Sequence, residues 1–262
     1  MKRLRVLQYC LAGALMISAV ATASAAATAP EIGRCVKLAK ANGEFTSSTC
    51  TVKETGTKIG KGPYEWEAGV AGPTKTFTDK AGIAKLETIH KSRVECKENL
   101  SEGEYTGPKT VGHMSVKFTG CEFKAIKKPC TSAGAKSGEI VMNTLAGELQ
   151  WENKATKKVA EELFPEAGGP GAEFVTFVCG PGTSHVKGAV LVNVLAGKML
   201  TAFTLKFTAT GGKQKPEKYD QGEAGETAAF LESDLVGPYE QAGQTETVTQ
   251  TNPEALEVNW LV

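Results

Sequence analysis

The side chains in this chain that could do chemistry are seven cysteines, three histidines and a few close carboxylates. Residues 116–138 read VKFTGCEFKAIKKPCTSAGAKSG, and there Cys121 and Cys130 bracket a segment carrying Lys124, Lys127 and Lys128. The spacing is too long for a C-x-x-C redox pair or a zinc knuckle, and lysines repel a cation. A disulfide-closed turn with solvated lysines is the simplest reading, and a basic contact to an anionic polymer is the functional one. His90, His113 and His185 are scattered, with no second ligand at a metal-like spacing. Asp occurs only at Asp79, Asp220 and Asp234, so no calcium loop built on clustered Asp and Asn is expected.

Nucleophile signatures are missing too. Ser137 in Gly134-Ala135-Lys136-Ser137-Gly138 stands one residue too late for G-x-S-x-G. Ser184 and His185 are adjacent, but a triad is a spatial arrangement. The close carboxylates are Glu161-Glu162, and Glu65 with Glu67 around Trp66. A glycosidase needs two carboxylates facing each other across a cleft, and the simpler expectation for these glutamates is a solvated strand face. Tyr64 and Trp66 lie two residues apart and share one face of a strand. They form a candidate platform for stacking on a sugar ring, or a packing pair. Neither a metal nor a cofactor is expected.

The compartment and the framework must place these groups. Lys2, Arg3 and Arg5 precede an uncharged, mostly apolar stretch from Val6 to Val20, and Ala23-Ser24-Ala25 is a small-residue cleavage site. That is the layout of a secretory signal peptide over residues 1–25. The apolar run falls short of the roughly 20 residues that span a bilayer, and no later run reaches it. The expectation is a secreted, extracellular chain with no transmembrane segment after cleavage. Removing the peptide takes away those three cations and moves the formal charge from +1 to −2, which gives no field for nucleic acid. Removing Cys10 leaves six cysteines: Cys35, Cys50, Cys96, Cys121, Cys130 and Cys179. An even number in an exported chain implies disulfides, and six allow 15 pairings. Proximity favours Cys35–Cys50 and Cys121–Cys130, which leaves Cys96–Cys179.

The body reads as strands. Ile83 to Ile89, Val111 to Phe118, Glu173 to Cys179, Val186 to Leu195, Leu200 to Thr210 and Leu256 to Val262 alternate or are rich in β-branched and aromatic residues. Gly-Pro pairs punctuate the turns between them. Lys154 to Phe164 is the one candidate helix, and an edge strand fits it equally. The pattern predicts an all-β fold, an antiparallel sandwich or Greek-key barrel stapled by disulfides, with at most one short helix. The expected division is residues 26–135 and 136–262, as two β regions or one continuous β domain.

Several segments carry a resemblance: His185-Val186-Lys187-Gly188-Ala189-Val190, Phe118-Thr119-Gly120-Cys121 with Cys130, Leu145-Ala146-Gly147-Glu148-Leu149, and Leu256-Glu257-Val258-Asn259. Together they resemble a large paralogous group of uncharacterised secreted bacterial proteins. The resemblance implies export and brings no reaction, ligand or catalytic residue. The functional expectation is a non-catalytic β protein with a structural or binding role at the cell envelope, toward an envelope polymer or glycan. The alternative is a secreted carbohydrate-active hydrolase.

Overall fold

The computed structural model describes residues 30–195, 197–221 and 225–260. The expected signal peptide lies outside the described residues. Along the chain the strands are β1 (Glu31–Lys37), β2 (Tyr64–Ala68), β3 (Thr76–Ala81), β4 (Ala84–Thr88), β5 (Arg93–Cys96), β6 (Glu98–Tyr105) and β7 (Thr110–Thr119). There follow β8 (Glu122–Phe123), β9 (Lys128–Thr131), β10 (Ile140–Val141), β11 (Leu145–Asn153), β12 (Lys158–Pro165), β13 (Glu173–Cys179) and β14 (Gly182–Gly188). The last are β15 (Val190–Val194), β16 (Leu200–Thr210), β17 (Lys213–Lys215), β18 (Lys218–Asp220), β19 (Glu226–Ala228), β20 (Leu231–Ser233) and β21 (Glu240–Asn259). Among the described residues the only helical element is a 3₁₀ turn at Gly56–Lys58.

Eight of these strands close a ring. β3 pairs β6, β6 pairs β7, β7 pairs β11, β11 pairs β12 and β12 pairs β15. β15 then pairs β16, β16 pairs β21, and β21 returns to β3, all antiparallel. The fold is therefore an all-β, closed antiparallel barrel. Period-2 alternation builds it: β3 reads Phe77, Asp79 and Ala81 inward against Thr76, Thr78 and Lys80 outward. The outward positions are mostly Thr, Lys and Glu, so the apolar surface lies inside.

A second ring stands end-on to the first. β4 pairs β5, β5 pairs β8, β8 pairs β9 and β9 pairs β13. β13 pairs β14, β14 pairs β20, and β20 and β4 both pair β21. Most strands of the lower ring continue an upper one after a short break, such as β3 into β4 and β14 into β15. At the latter break Gly188 has φ 120°, and an added Cβ would lie 2.1 Å from the Phe230 carbonyl oxygen, a close approach that only glycine permits. β21 runs unbroken through both rings, roughly 65 Å if fully extended. Its Pro253 is tolerated because the pairing with β16 is irregular between Leu200 and Ala202. Strands from before and after residue 135 pair with each other throughout, as β7 does with β11 and β3 with β21.

Outer strands cover the rest. β1 pairs β2 and the end of β21, and it lays Ile32 across one mouth of the barrel. Outside β12 and β15, Tyr219 and Ala229 pack on Ala160 and Leu191. This corrects the reading of Lys154 to Phe164. The segment is a turn followed by β12, which is neither helix nor edge: β11 and β15 flank it and its outer face is covered.

Three disulfides fasten the fold. Cys35–Cys50 forms as expected, but the other two are Cys96–Cys121 and Cys130–Cys179. The proximity pairing Cys121–Cys130, and with it Cys96–Cys179, is overturned. Strand pairing is the reason. β9 lies against β13 with Cys130 opposite Cys179, while Cys96 and Cys121 stand 3.9 Å apart between their Cα atoms. Cys121 and Cys130 are themselves neighbours, the Cys130 amide donating to the Cys121 carbonyl at 3.0 Å. The loop-entropy model values the three closures at about 3–4 kcal/mol each.

Candidate functional site

The unusual chemistry lies inside the upper ring. Three carboxyls point inward from strand positions that alternation reserves for apolar residues: Asp79 on β3, Glu161 on β12 and Glu246 on β21. All three are buried, and they line one cavity of about 40 Å³ together with Asn99, Ser101 and Gln250. No Lys, Arg or His lines it. A space of that size holds a few waters. An adjoining cavity of about 60 Å³ is lined almost wholly by apolar side chains, Phe118 and Phe174 among them.

Each acid is held differently. The Ser101 hydroxyl donates to Asp79 Oδ2 at 2.9 Å, while Asp79 Oδ1 is buried with no partner. Asn99 Nδ2 donates to both oxygens of Glu246, at 3.1 and 3.3 Å, and Gln244 adds a short hydrogen bond. Asn99 Oδ1 is left unpartnered. The Glu161 carboxyl makes no hydrogen bond among the described residues, and it fits because Gly147, diagonally across on β11, has no side chain. A Cβ there would stand 2.9 Å from Glu161 Oε1 and 2.7 Å from Leu163. Nearer the Ile32 end, Gln250 Nε2 donates to the Tyr105 hydroxyl at 3.1 Å, and that hydroxyl donates to Asn252 Oδ1 at 2.7 Å.

Burial without a cation raises every one of these acids, because a charge transferred from water to an apolar interior costs more than keeping the proton. Glu161 is pushed up to about 8, by burial first and then by the Asp79 charge. Glu246 is raised to about 7 by burial, against the opposing hydrogen bonds from Asn99 and Gln244. Asp79 is raised to about 6 by burial, opposed by Ser101. Tyr105 is raised as well, by burial and by Glu161 and Asp79. At neutral pH this interior therefore holds protons.

The other candidates lie elsewhere. Glu162 sits on the opposite face of β12, buried against the outer strands, and is raised by burial although Tyr219 hydrogen-bonds it. Tyr64 and Trp66 share a face of β2 and are half-buried; the Trp66 ring lies over Gly33, with Nε1 buried and unpartnered. Glu65 accepts the Glu44 amide at 2.9 Å, and Glu67 pairs with Arg34. Ser184 is buried, whereas its neighbour His185 is turned outward and donates Nδ1–H to Asp234 at 2.8 Å, which raises the imidazole. His113 stands between Glu104 and Glu166, at 3.4 and 3.1 Å, and His90 pairs with Glu240. Among the described residues no group of three or more His, Cys, Asp or Glu side chains could hold a metal ion. In the Cys121–Cys130 segment Lys124 is paired with Glu122 and Glu95.

Outside the same wall, β21, β3, β6 and β7 form an open concavity of about 850 Å³. Thr78, Lys80, Glu102, Lys117, Thr249 and Thr251 line it, with Leu100 and Val141 exposed at its floor and rim. It is the largest concave surface described, and it sets hydroxyl and charged groups among a mostly apolar lining. Sequence reasoning missed this concavity, Asp79 and Glu246, and it placed Glu161 and Glu162 on a solvated strand face, whereas both are buried. For the acids a signal existed: a carboxylate in the apolar phase of an alternating strand, as in Phe77-Asp79-Ala81 and Val159-Glu161-Leu163.

No protein-family model matches this chain, and no curated protein or solved structure matches it either. No helix among the described residues is long and apolar enough to cross a membrane.

Proposed function

We propose that this chain is an exported, non-catalytic β-barrel that binds a polar polymer of the cell envelope, a glycan fitting best, on its outer wall. The observation that carries this reading is the contrast between the two sides of that wall. Inside, the carboxyls that resemble an acid pair share a cavity too small for a sugar ring, against the several hundred Å³ usual for ligand sites. Outside, the open concavity presents threonine hydroxyls and the Lys80 and Lys117 ammoniums, the donors that hydroxyl-rich or anionic chains accept. Three disulfides and the leader-like first residues support export, since disulfides persist in oxidising compartments. The hydrolase alternative draws on the raised Asp79 and Glu161, but the cavity they share is far smaller than the several hundred Å³ of a usual ligand site.

The test is retention on immobilised envelope polysaccharides and on whole cell-wall material. Lys80→Glu with Lys117→Glu should weaken retention about tenfold or more by reversing charge, with the melting temperature unchanged. A parallel Trp66→Ala variant asks whether the Tyr64–Trp66 face takes part. Failure of the wild-type protein to bind any envelope fraction ends the binding reading. Glycan cleavage by the wild type that is lost in Glu161→Gln would establish the hydrolase instead.

A further inference from the structure

The walls of the upper ring are unequal. β16 is joined to β21 through seven residue pairs between Leu200 and Phe207, and β6 to β7 through seven between Glu98 and Tyr105. β15 is joined to β16 through one pair, Asn193 opposite Lys206. This seam is flanked by two of the buried acids. Glu161 on β12 lies opposite Val192 of β15, and Glu246 on β21 lies opposite Phe207 of β16. Asp79 follows one strand further on, opposite Gln250 of β21.

We propose that the acids inside the barrel make it a pH-sensitive device, shut in acid and parting along the β15–β16 seam in alkali. The titratable groups facing the cavity and the mouth above it are Asp79 of β3, Tyr105 of β6, Glu161 of β12 and Glu246 of β21. β7, β11, β15 and β16 contribute no ionisable side chain to either lining, and Lys80 and Lys206 on the wall are exposed to solvent. As the protons leave, two or three negative charges share a space that admits only a few waters, and no cation offsets them. Like charges in a poorly solvated interior gain most by letting water in. The wall gives where the fewest backbone bonds resist, since local opening follows the least bonded segments. The unpartnered Asp79 Oδ1 and Asn99 Oδ1 are two further acceptors that entering water satisfies.

Hydrogen exchange on the full chain at about pH 5, about pH 7 and about pH 9, corrected for intrinsic exchange, reads this directly. Peptides from β15 and β16 should lose protection by about tenfold or more across neutrality, while β6–β7 peptides keep theirs. In a Glu161→Gln, Glu246→Gln variant the pH dependence at the seam should vanish. Should that variant not fold, the infrared carbonyl band of protonated carboxyls in the wild type serves. It should be present in acid and decline over the same pH range in which the seam loses protection. Seam protection that is independent of pH overturns the proposal. So does equal loosening of all eight walls, an unchanged pH response in the variant, or the absence of a protonated-carboxyl band at about pH 6.

Discussion

Glu161 and Glu162 are adjacent in the chain and lie on opposite sides of a barrel wall. Alternation forces that outcome, since neighbouring side chains on a strand point to opposite faces, and both faces of β12 are covered. The consequence at residue scale is a sign for the pH dependence of stability. The carboxyls of Glu161, Glu246 and Asp79 are raised in the folded chain to about 8, about 7 and about 6, from ordinary values of 4.5, 4.5 and 3.8. Between those limits the folded state binds more protons than the unfolded one, so stability falls as pH rises. Their contribution is complete below about pH 4 and is lost through about pH 6 to 8. Glu161→Gln should therefore melt close to wild type at about pH 5 and higher than wild type at about pH 9, which thermal melts at the two pH values check. Gly147→Ala tests the space reserved for that carboxyl. Its methyl would press on Leu163, Val111 and Glu161, and chemical denaturation should show a loss of about 1–3 kcal/mol.

At the scale of elements, the cysteines illustrate how far local reading carries. That the six cysteines from Cys35 to Cys179 would pair was legible from their even number. Cys35–Cys50 was legible from proximity because both lie in one small unit around β1. The other pairs were not, because β9, besides its hairpin partner β8, pairs β13 on its far side and sets Cys130 against Cys179. Peptide mapping without reduction should yield Cys96–Cys121 and Cys130–Cys179 fragments and no Cys121–Cys130 fragment. Removing the longest closure with Cys130→Ala and Cys179→Ala should cost about 4 kcal/mol by the loop-entropy model, read from denaturant midpoints. The strand runs were legible as well, since β13, β15 and β16 fall within the alternating or apolar stretches and β7 contains Val111 to Phe118. Lys154 to Phe164 was ambiguous because its pattern, Val159-Ala160-Glu161-Glu162-Leu163, mixes charged and apolar residues on both faces. Only the outer layer of Tyr219 and Ala229 explains apolar burial on the second face.

For the whole molecule, the shared strand β21 ties the two rings into one cooperative structure. Its first residues pair β4 and β20, its middle pairs β3 and β16, and its end pairs β1. A single core also runs through both rings, from Phe77 and Phe203 to Phe123 and Phe177. Denaturant unfolding followed by near- and far-ultraviolet circular dichroism should give coincident transitions, and two separate midpoints would show that the rings unfold independently. The class of fold, the sharing of strand faces and the presence of disulfides followed from the amino-acid sequence alone, because they depend on period-two patterning, turn residues and cysteine number. Which face became the interior, which cysteines met and where the ring closed weakly were decided by tertiary structure. Alternation states which side chains lie together but is silent on which strand lies beside which. Three acids became a buried cluster only because non-local pairing brought β3, β12 and β21 around one cavity.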